Sequence, residues 1–337
     1  MSPAVAASES PVRFGILGTG TIAAKLAEAF ADAPGCELIA VGSRSARSAD
    51  AFADRWHIPL RHASYEALAR DPHVDVVYVA TPHALHCENT LMAIAAGKAV
   101  LCEKPFAIHA GEARRMVAAA RARGVFLMEA MWTRFVPLWA DLRARIAGGA
   151  IGTPRLLAAD FGFRTDYDEG SILFDPAMGG GALLDVGVYP VSLAHMIWGR
   201  PEAVAAVAHM TPSGVDDQCA AVLRFADGAI ATVSASLSAE THQDLSLSGT
   251  LARLRVDRPW WCPEHASLTD ADEHVERVHC GYQGNGYTHQ LMEVARCVRG
   301  GELESATMPL DESVAIMETL DRIRAVIGLR YPMDPPR

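Results

Sequence analysis

The turn between the first apolar run and the first helical pattern constrains the fold more than any other feature. An apolar run over residues 12–17 leads into G-T-G-T-I-A, residues 18–23, and an alanine-rich helical pattern follows to about residue 31. Glycines in such a turn allow a tight bend and a close approach of the backbone to a pyrophosphate. A small third residue, here Ala23, still lets the helix pack on the strand. The segment therefore predicts a dinucleotide-binding strand–turn–helix unit.

Strand and helix patterns then alternate as far as residue 130. Buried strands are predicted at residues 38–42, 74–80, 100–101 and 125–128, and a helical pattern follows each of the first three. This alternation predicts an α/β fold with a parallel, doubly wound sheet of the Rossmann type. The chain has 337 residues, which is too long for one typical core, so we expect a second domain.

The pattern changes after Trp132. Later apolar runs predict antiparallel strands at residues 155–163, 203–209, 219–225, 229–236 and 244–247. Asp227-Gly228 between two of these runs is typical of a hairpin turn. A last helix, about residues 311–327, is expected to pack back on the first domain. We therefore expect a flexible tail at 1–10, a dinucleotide-binding domain at 11–130, and a second α/β domain at 131–337.

Composition excludes several classes of function. The net charge is −10 and there is no basic patch, which argues against a nucleic-acid partner. No segment approaches the ~20 unbroken apolar residues of a membrane span, and the small, polar start lacks the pattern of a signal peptide. The seven cysteines are scattered, so free thiols in a reducing cytoplasm are expected. His83, His86 and Cys87 form an incomplete ligand set, and no metal site is predicted.

Lys104 is the most informative single residue of the first half. The apolar run 99–101 leads into Cys102-Glu103-Lys104-Pro105, where the proline stops the strand. Burying a lysine is costly unless its charge is paired or used. Because ligands bind beyond the carboxyl ends of parallel strands, we expect Lys104 to face a ligand rather than bulk solvent.

The residues after the second strand bear on which dinucleotide is bound. An NAD-binding fold usually has a carboxylate about twenty residues past the glycines, which holds the ribose hydroxyls. Here the strand ends in Ser43 and Arg44. A serine and an arginine can bind a 2′-phosphate, which a carboxylate would repel. The sequence thus favours NADP over NAD; the alternative is that Arg44 is an ordinary surface arginine.

Five motifs in order resemble one oxidoreductase family. They are the glycine turn, A-T-P-H-x-x-H (80–86), E-K-P (103–105), W-T-R-F-x-P (132–137) and G-G-G-A-L-L-D-V-G-V-Y (179–189). Together they resemble the glucose–fructose oxidoreductase / inositol dehydrogenase / MocA family over residues 11–335. The resemblance implies an N-terminal Rossmann domain and a C-terminal α/β domain with a large, open, mainly antiparallel sheet. That sheet commonly forms a subunit interface, so a homodimer or homotetramer is expected.

The resemblance also implies roles for individual residues. Residues expected near the pyrophosphate are Gly18, Thr19, Gly20 and Ile22, with Ser43 and Arg44 at the 2′-phosphate. Those expected elsewhere along the cofactor are Thr81, His83, His86, Glu103, Lys104, Trp132 and Arg134. Those expected to contact substrate are Lys104, Trp132, Phe161, Asp185, Tyr189 and Tyr282.

One departure from the family pattern narrows the branch. Many members carry D-x-G-x-H-x-x-D after the glycines, whereas here Tyr189 stands at the histidine position and Ser192 at the last acid position. This departure disfavours a typical inositol or sugar-nucleotide dehydrogenase. In this respect the chain resembles the branch of the family that acts on trans-dihydrodiols and D-xylose, in which a tyrosine takes the histidine position.

The predicted activity follows from what alcohol oxidation requires. Hydride goes to the nicotinamide, so the protein must orient the substrate and accept a proton. A tyrosine pKa of about 10 is too high for an efficient base, and a nearby ammonium would lower it. We therefore expect Tyr189 as the general acid/base, Lys104 as its electrostatic partner and Asp185 as the group that orients Lys104 or a substrate hydroxyl. The reverse assignment of Tyr189 and Lys104 stays open.

The expected function is hydride transfer between NADP and a secondary alcohol of a pyranose, cyclic polyol or diol, of the D-xylose or trans-dihydrodiol type. A keto-sugar reductase working in the opposite direction is an alternative within the same family. A non-catalytic dinucleotide-sensing regulator is a third hypothesis, but such a protein has no need to keep Lys104, Asp185 and Tyr189 together.

Overall fold

Six short strands form the first sheet: β1 (Val12–Leu17), β2 (Cys36–Gly42), β3 (Leu60–His62), β4 (Val76–Val79), β5 (Ala99–Glu103) and β6 (Leu127–Ala130). The computed structural model describes residues 10–335, so most of the predicted tail, residues 1–9, lies outside the described residues. The strand order is β3-β2-β1-β4-β5-β6, and every pairing is parallel. The predicted parallel, doubly wound sheet is therefore confirmed. The strand order reverses between β1 and β4.

The second sheet has eight strands: β7 (Pro154–Gly162), β8 (Ala203–Met210), β9 (Asp216–Arg224), β10 (Ile230–Ser236), β11 (Leu245–Gly249), β12 (Ala252–Val256), β13 (His265–Asp270) and β14 (Val275–His279). Their order is β14-β13-β12-β11-β7-β10-β9-β8. Only β7 and β10 pair in parallel, so the expected large and mainly antiparallel sheet is confirmed. The predicted hairpin joins β9 to β10, with Gly228 at φ +76°.

The two faces of the second sheet differ in chemistry. Side chains along β9 alternate between buried and exposed, as expected for a sheet with one face on a core. The outer face carries small and apolar side chains, including Val207 and Val222, which are 72% and 44% exposed. The outer face of the second sheet therefore exposes apolar side chains.

The helices cover the first sheet on both faces and the second sheet on one. They are α1 (Thr21–Ala29), α2 (Ala46–Trp56), α3 (Tyr65–Ala69), α4 (His86–Ala95), α5 (Ala110–Arg123), α6 (Pro137–Ala147), α7 (Val188–Trp198), α8 (Thr288–Arg299) and α9 (Leu310–Ile327). The sequence analysis predicted neither α6 and α8 nor the strands β12 to β14.

Two C-terminal helices pack on the sheets, and α9 connects one sheet to the other. Helix α8 packs on β1 and β2, and helix α9 packs on α5 and β6 as well as on α7 and β8. A helix near the end of the described residues therefore contacts elements of both sheets.

One internal stretch is apolar enough to resemble a membrane span. Pro176–Trp198 passes the test of length and hydropathy, but 83% of its apolar window is buried inside the protein. It contains one π-helical turn at Leu183–Gly187, followed directly by α7. Its hydropathy is explained by burial under the second sheet, and the turn faces the cleft described next.

Candidate functional site

A cleft of about 1360 Å³ opens at the carboxyl ends of the parallel strands. Ligands of doubly wound folds bind at this edge of the sheet. One side of the cleft, here called the glycine wall, consists of residues 18–22, Ser43, Arg44 and Thr81. The other side, here called the aromatic wall, consists of Trp132, Phe161, Tyr189, Trp261 and Tyr287. Lys104 and Asp185 lie between the two walls.

The glycine wall has the shape that a pyrophosphate needs. Gly18 has φ +113°, and a Cβ added there would lie 2.6 Å from the carbonyl oxygen of Ala80. Only glycine fits such a conformation next to a neighbouring backbone. Gly20 precedes α1, so the unpaired N–H groups of that helix point toward the cleft.

Ser43 and Arg44 lie at the edge of the cleft beyond β2. Ser43 is buried, whereas Arg44 is exposed and lies close enough to the Tyr65 hydroxyl to interact with it. The exposed guanidinium is thus available to an anion at this end of the glycine wall.

His86 and His83 have different surroundings. His86 is fully buried, with Nδ1 2.8 Å from the carbonyl oxygen of Pro105 and Nε2 2.9 Å from that of Thr81. Burial lowers the pKa of His86 to about 3, so the ring is neutral and can donate to only one of these carbonyls. His83 donates from Nδ1 to the carbonyl oxygen of Gly179 at 2.9 Å and lines the cleft.

Lys104 and Asp185 form the central ion pair. The Lys104 ammonium donates to Asp185 Oδ1 at 3.0 Å and to the Asp185 carbonyl oxygen at 2.7 Å. Burial opposes the charge of Lys104, yet Asp185 and Glu103 raise the pKa of the ammonium. Burial likewise opposes the charge of Asp185, but Lys104 and His83 hold its pKa below the usual range. Both groups are therefore charged at neutral pH.

Glu103 lies next to this ion pair and contacts the backbone of Lys104. Its carboxylate accepts a hydrogen bond from the buried Tyr78 hydroxyl and one from the Lys104 backbone N–H at 3.2 Å. Burial raises the pKa of Glu103 to about 7. The side chain thus fixes the backbone at Lys104 and adds a second carboxyl group near the ammonium.

The Tyr189 hydroxyl faces the cleft from the other side. Trp132 donates from Nε1 to the Tyr189 oxygen at 2.9 Å, and no acceptor within residues 10–335 takes the Tyr189 proton. Lys104 Nζ lies 5.1 Å from the centroid of the Tyr189 ring, over its face. The Tyr189 proton is therefore free to be donated to a bound molecule.

The electrostatics of Tyr189 differ from the expectation. Burial, followed by Glu103, raises the pKa of Tyr189 well above its usual value. The predicted lowering by Lys104 does not occur in this structure, because Asp185 neutralises the ammonium and the ammonium lies over the ring rather than beside the oxygen. In this state Tyr189 is a proton donor rather than a ready base.

Stacked rings complete the aromatic wall. Phe161 and Trp261 stack with centroids 3.5 Å apart and planes 3° apart. Trp132 stacks on Tyr287 at 4.2 Å. Such faces suit the apolar side of a ring-shaped molecule, with the polar groups of Lys104, Asp185 and Tyr189 at its edge.

Most of the residues predicted from the sequence meet in this cleft. Those that line it are Gly18, Thr19, Gly20, Ile22, Ser43, Arg44, Thr81, His83, His86, Glu103, Lys104, Trp132, Phe161, Asp185 and Tyr189.

The prediction that Arg134 borders the cleft is corrected by the structure. Arg134 is 3% exposed and is absent from the cleft lining. Its guanidinium donates to the Ser192 carbonyl oxygen at 2.7 Å and pairs with Glu312 at 2.7 Å. The short 3₁₀ turn that holds Trp132 in the cleft points Arg134 two residues later toward α7 and α9, so its role is structural.

Tyr282 is the second correction. It lies outside the cleft lining and interacts with the Cys262 thiol. Tyr287, from the same glycine-rich loop, takes the place expected for it and stacks on Trp132. Trp261 and Tyr287 were both missed as site residues. Trp261 lies outside the motifs of the sequence analysis, and the bend of the loop at Gly284 and Gly286 is not encoded in the spacing.

No group of three or more His, Cys, Asp or Glu side chains within residues 10–335 is arranged to hold a metal ion. All seven cysteines are unpaired.

The geometry of the cleft allows it to bind an extended anionic molecule along the glycine wall and to transfer a proton at the aromatic wall.

Comparison with protein families gives two matches. A family model described as an oxidoreductase family with an NAD-binding Rossmann fold, GFO/IDH/MocA, matches residues 12–131. The model of the GFO/IDH/MocA C-terminal domain matches residues 139–255. Together they include the glycine wall and, of the aromatic wall, Phe161 and Tyr189.

Individual proteins give the same result. The chain is 36% identical over 334 residues to trans-1,2-dihydrobenzene-1,2-diol dehydrogenase of Homo sapiens, covering 96% of this chain and 99% of that protein. It is 34% identical over 367 residues to D-xylose 1-dehydrogenase (NADP(+)) of Hypocrea jecorina, covering 95% and 93%. A 3-ketoreductase of Actinomadura kijaniata, solved with NADP and TDP-benzene, has 28% identity and a TM-score of 0.85, covering 94% and 98%.

Proposed function

The chain belongs to the GFO/IDH/MocA oxidoreductase family, and on that premise we propose that it transfers hydride between NADP and a secondary alcohol of a pyranose, cyclic polyol or diol. The observation that carries the proposal is the Tyr189 hydroxyl beside the Lys104–Asp185 ion pair, in the same cleft as the glycine turn. The substrate class follows the relatives that act on dihydrodiols and D-xylose.

The glycine wall supports the cofactor assignment. Gly18 leaves room for a backbone approach that a Cβ would block, and the start of α1 offers N–H donors to a pyrophosphate. Ser43 and the exposed Arg44 would hold the 2′-phosphate of NADP, with Arg44 supplying charge-assisted hydrogen bonds. The relatives that carry NADP in their names or crystals support the same choice.

The nicotinamide, when bound, supplies the hydride transfer, and the proton is left to the protein. In the reductive direction the Tyr189 hydroxyl would donate its proton to the carbonyl oxygen, and in the oxidative direction its deprotonated oxygen would accept the proton of the alcohol. The same oxygen accepts a hydrogen bond from Trp132. Lys104 offers an ammonium donor to a substrate oxygen, and Asp185 keeps that ammonium charged and oriented. These groups bind and orient the reacting C–O bond and move its proton.

The charges of the cleft favour an uncharged substrate. Among the described residues that line the cleft, the lysines and arginines are Lys25, Arg44 and Lys104. The first two lie at the glycine wall, and Asp185 neutralises the third. A phosphate or nucleotide group on the substrate would meet no unpaired ammonium or guanidinium at the aromatic wall, whereas an uncharged ring would stack on it.

A second candidate is the same chemistry in the reductive direction, with a keto-sugar as substrate. Burial, followed by Glu103, raises the pKa of Tyr189, so its hydroxyl is protonated at neutral pH and available to donate to a carbonyl oxygen. The 3-ketoreductase similarity supports this direction as well.

We also keep three expectations as proposals. The domains are 11–130 and 131–337, and the apolar side chains exposed on the outer face of the second sheet support a homodimer or homotetramer. The unpaired cysteines support a reducing cytoplasm as the location.

The test is nicotinamide reduction with NADP and with NAD across D-xylose, D-glucose, D-glucose 6-phosphate, myo-inositol and a trans-dihydrodiol. We expect NADP-dependent turnover of xylose or the dihydrodiol, and a loss of activity from glucose to glucose 6-phosphate. If no compound of this set is turned over, and no keto-sugar is reduced with NADPH, the proposal is contradicted. Activity with keto-sugars alone would select the reductive candidate.

A further inference from the structure

The turn formed by Gly179, Gly180 and Gly181 is held by two distant parts of the chain. Its Gly179 carbonyl oxygen accepts from His83 Nδ1 at 2.9 Å, and its Gly180 carbonyl oxygen accepts from the Tyr331 hydroxyl at 2.6 Å. The Gly181 carbonyl oxygen accepts from the Asp185 backbone N–H at 3.1 Å, so Asp185 is bonded directly to this turn. A shift of the turn is therefore a shift of Asp185.

Asp216 holds the next residue of the same segment. It lies at the start of β9 with 0% of its surface exposed, and its Oδ2 accepts from the Leu183 backbone N–H at 2.8 Å. Leu183 begins the π-helical turn that contains Asp185. A carboxylate that accepts from the first N–H groups of a helical segment fixes both the position and the direction of its start.

The fit between Asp216 and the turn leaves no spare room. Gly181 has φ +117°, and a Cβ added there would overlap Asp216 Oδ1 and lie 3.3 Å from the Tyr331 hydroxyl oxygen. The backbone of the turn therefore rests directly on these two side chains.

Tyr331 is itself fixed by the C-terminal segment. The Arg324 guanidinium lies 4.6 Å from the centroid of its ring, and Asp334 accepts from both Arg324 and the Tyr331 backbone N–H. Arg324 also donates to the Ile108 carbonyl oxygen at 2.9 Å, which lies four residues after Lys104. One network thus contacts the segments on both sides of the Lys104–Asp185 pair.

We propose that Asp216 and Tyr331 are positioning residues that hold the π-helical turn so that Asp185 stays bonded to Lys104 and Tyr189 faces the cleft. The proposal rests on the proposed function, because it concerns the geometry of the same site. Neither residue lines the cleft, so both act through Asp185. A displacement of about 1 Å in a reacting group can lower turnover about 10²-fold.

The first experiment compares Asp216→Ala, Asp216→Asn and the matched control Asp217→Ala. Asp217 is the next residue, but its carboxylate pairs with His209 at 2.7 Å, away from the turn. We expect Asp216→Ala to lower kcat by about 10- to 100-fold, with the Kd for NADP, measured by fluorescence, changed by less than about twofold. Asp216→Asn keeps an oxygen that can accept from Leu183 and should recover most of kcat. Asp217→Ala should keep kcat within about twofold.

The second readout needs no turnover. Amide hydrogen exchange over residues 179–187 should be faster in Asp216→Ala and in Tyr331→Phe than in the parent chain, and unchanged in Asp217→Ala. Tyr331→Phe removes only one hydroxyl, so it carries the test if Asp216→Ala does not fold.

The outcomes separate the two proposals. A parent chain that turns over no substrate counts against the proposed function and leaves the exchange result to decide the positioning role. An active parent with normal kcat and normal exchange in Asp216→Ala and Tyr331→Phe would overturn the positioning role alone. Loss of kcat without faster exchange, or without recovery in Asp216→Asn, would also overturn it.

Discussion

The glycine wall and the aromatic wall of the cleft are assembled in different ways. The glycine wall comes from loops that each follow a strand of one parallel sheet, so its residues are placed by local sequence and by strand order. The aromatic wall comes from segments as far apart as Trp132, Phe161 and Tyr287, which meet only through long-range packing. The first wall can therefore be predicted from short motifs, and the second depends on packing.

The difference shows in the charges as well. Arg44 on the glycine wall is exposed and can meet an anion, whereas Lys104 between the walls is buried and already paired with Asp185. We infer that cofactor binding is concentrated on the glycine wall and proton transfer at the aromatic wall. The predictions below test that division.

The largest effect is expected from the two groups that face the reacting C–O bond, Tyr189 and Lys104. Tyr189→Phe and Lys104→Met should each lower kcat by at least ~10², because the first removes the proton-transfer group and the second removes the ammonium donor to the substrate oxygen. The Kd for NADP should change much less, since the glycine wall is untouched. Steady-state kinetics and fluorescence titration measure the two quantities. Tyr282→Phe is the matched control outside the cleft, and near-normal turnover in both site variants would refute the assignment.

A smaller effect is expected at the glycine wall. Arg44→Asp should shift the ratio of kcat/KM for NADP over NAD by about 10- to 100-fold toward NAD, because it replaces a charge-assisted donor by a group that repels the 2′-phosphate. Arg47→Asp, an exposed arginine outside the cleft lining, should leave the ratio nearly unchanged. An unmoved ratio in Arg44→Asp would mean that Arg44 is an ordinary surface residue.

A change in the aromatic wall should alter the KM for substrate rather than the Kd for NADP. Trp261→Ala removes the stacking partner of Phe161 and should raise the KM for the sugar or diol by about 10-fold, near the upper value of an aromatic pair. The Kd for NADP should stay within about twofold. A changed Kd with an unchanged KM would show that Trp261 belongs to the cofactor side, and the division into two walls would fail.

The smallest effect on the cleft is expected from Arg134→Met. The variant leaves Glu312 without its partner and should lower the free energy of unfolding by about 2–3 kcal/mol, below the usual range because Glu312 is partly exposed. In the folded protein kcat and the Kd for NADP should stay within about twofold. Urea denaturation and kinetics measure both. A large loss of NADP affinity without loss of stability would restore the original prediction for Arg134.

The sequence analysis succeeded where residues act close to their own strand. The parallel sheet, the mainly antiparallel second sheet and the hairpin at Gly228 all follow from patterns of a few residues. It failed for α6 and α8, and for β12 to β14, which are strands of five or six residues whose partners are set by the sheet as a whole.

The same distinction applies within the site. Gly18 and Arg44 reach the cleft because a strand end places them there, and the E-K-P motif brings Lys104 to it for the same reason. Arg134 was misplaced because it lies two positions after Trp132 in a 3₁₀ turn, which is enough to point its side chain in another direction. Tyr287 was missed because the loop that holds it bends at two glycines with positive φ.

The sequence by itself determined the family, the glycine turn and the identity of the groups that can move a proton. Only the tertiary structure decided that Asp185 neutralises Lys104 and that Trp132 donates to the Tyr189 oxygen. It alone also decided that Asp216 and Tyr331 are hydrogen-bonded to Leu183 and Gly180, close to Asp185. The physical reason is range. A motif fixes the backbone over a few residues, whereas burial and charge depend on every segment that packs against a group, however distant in the chain.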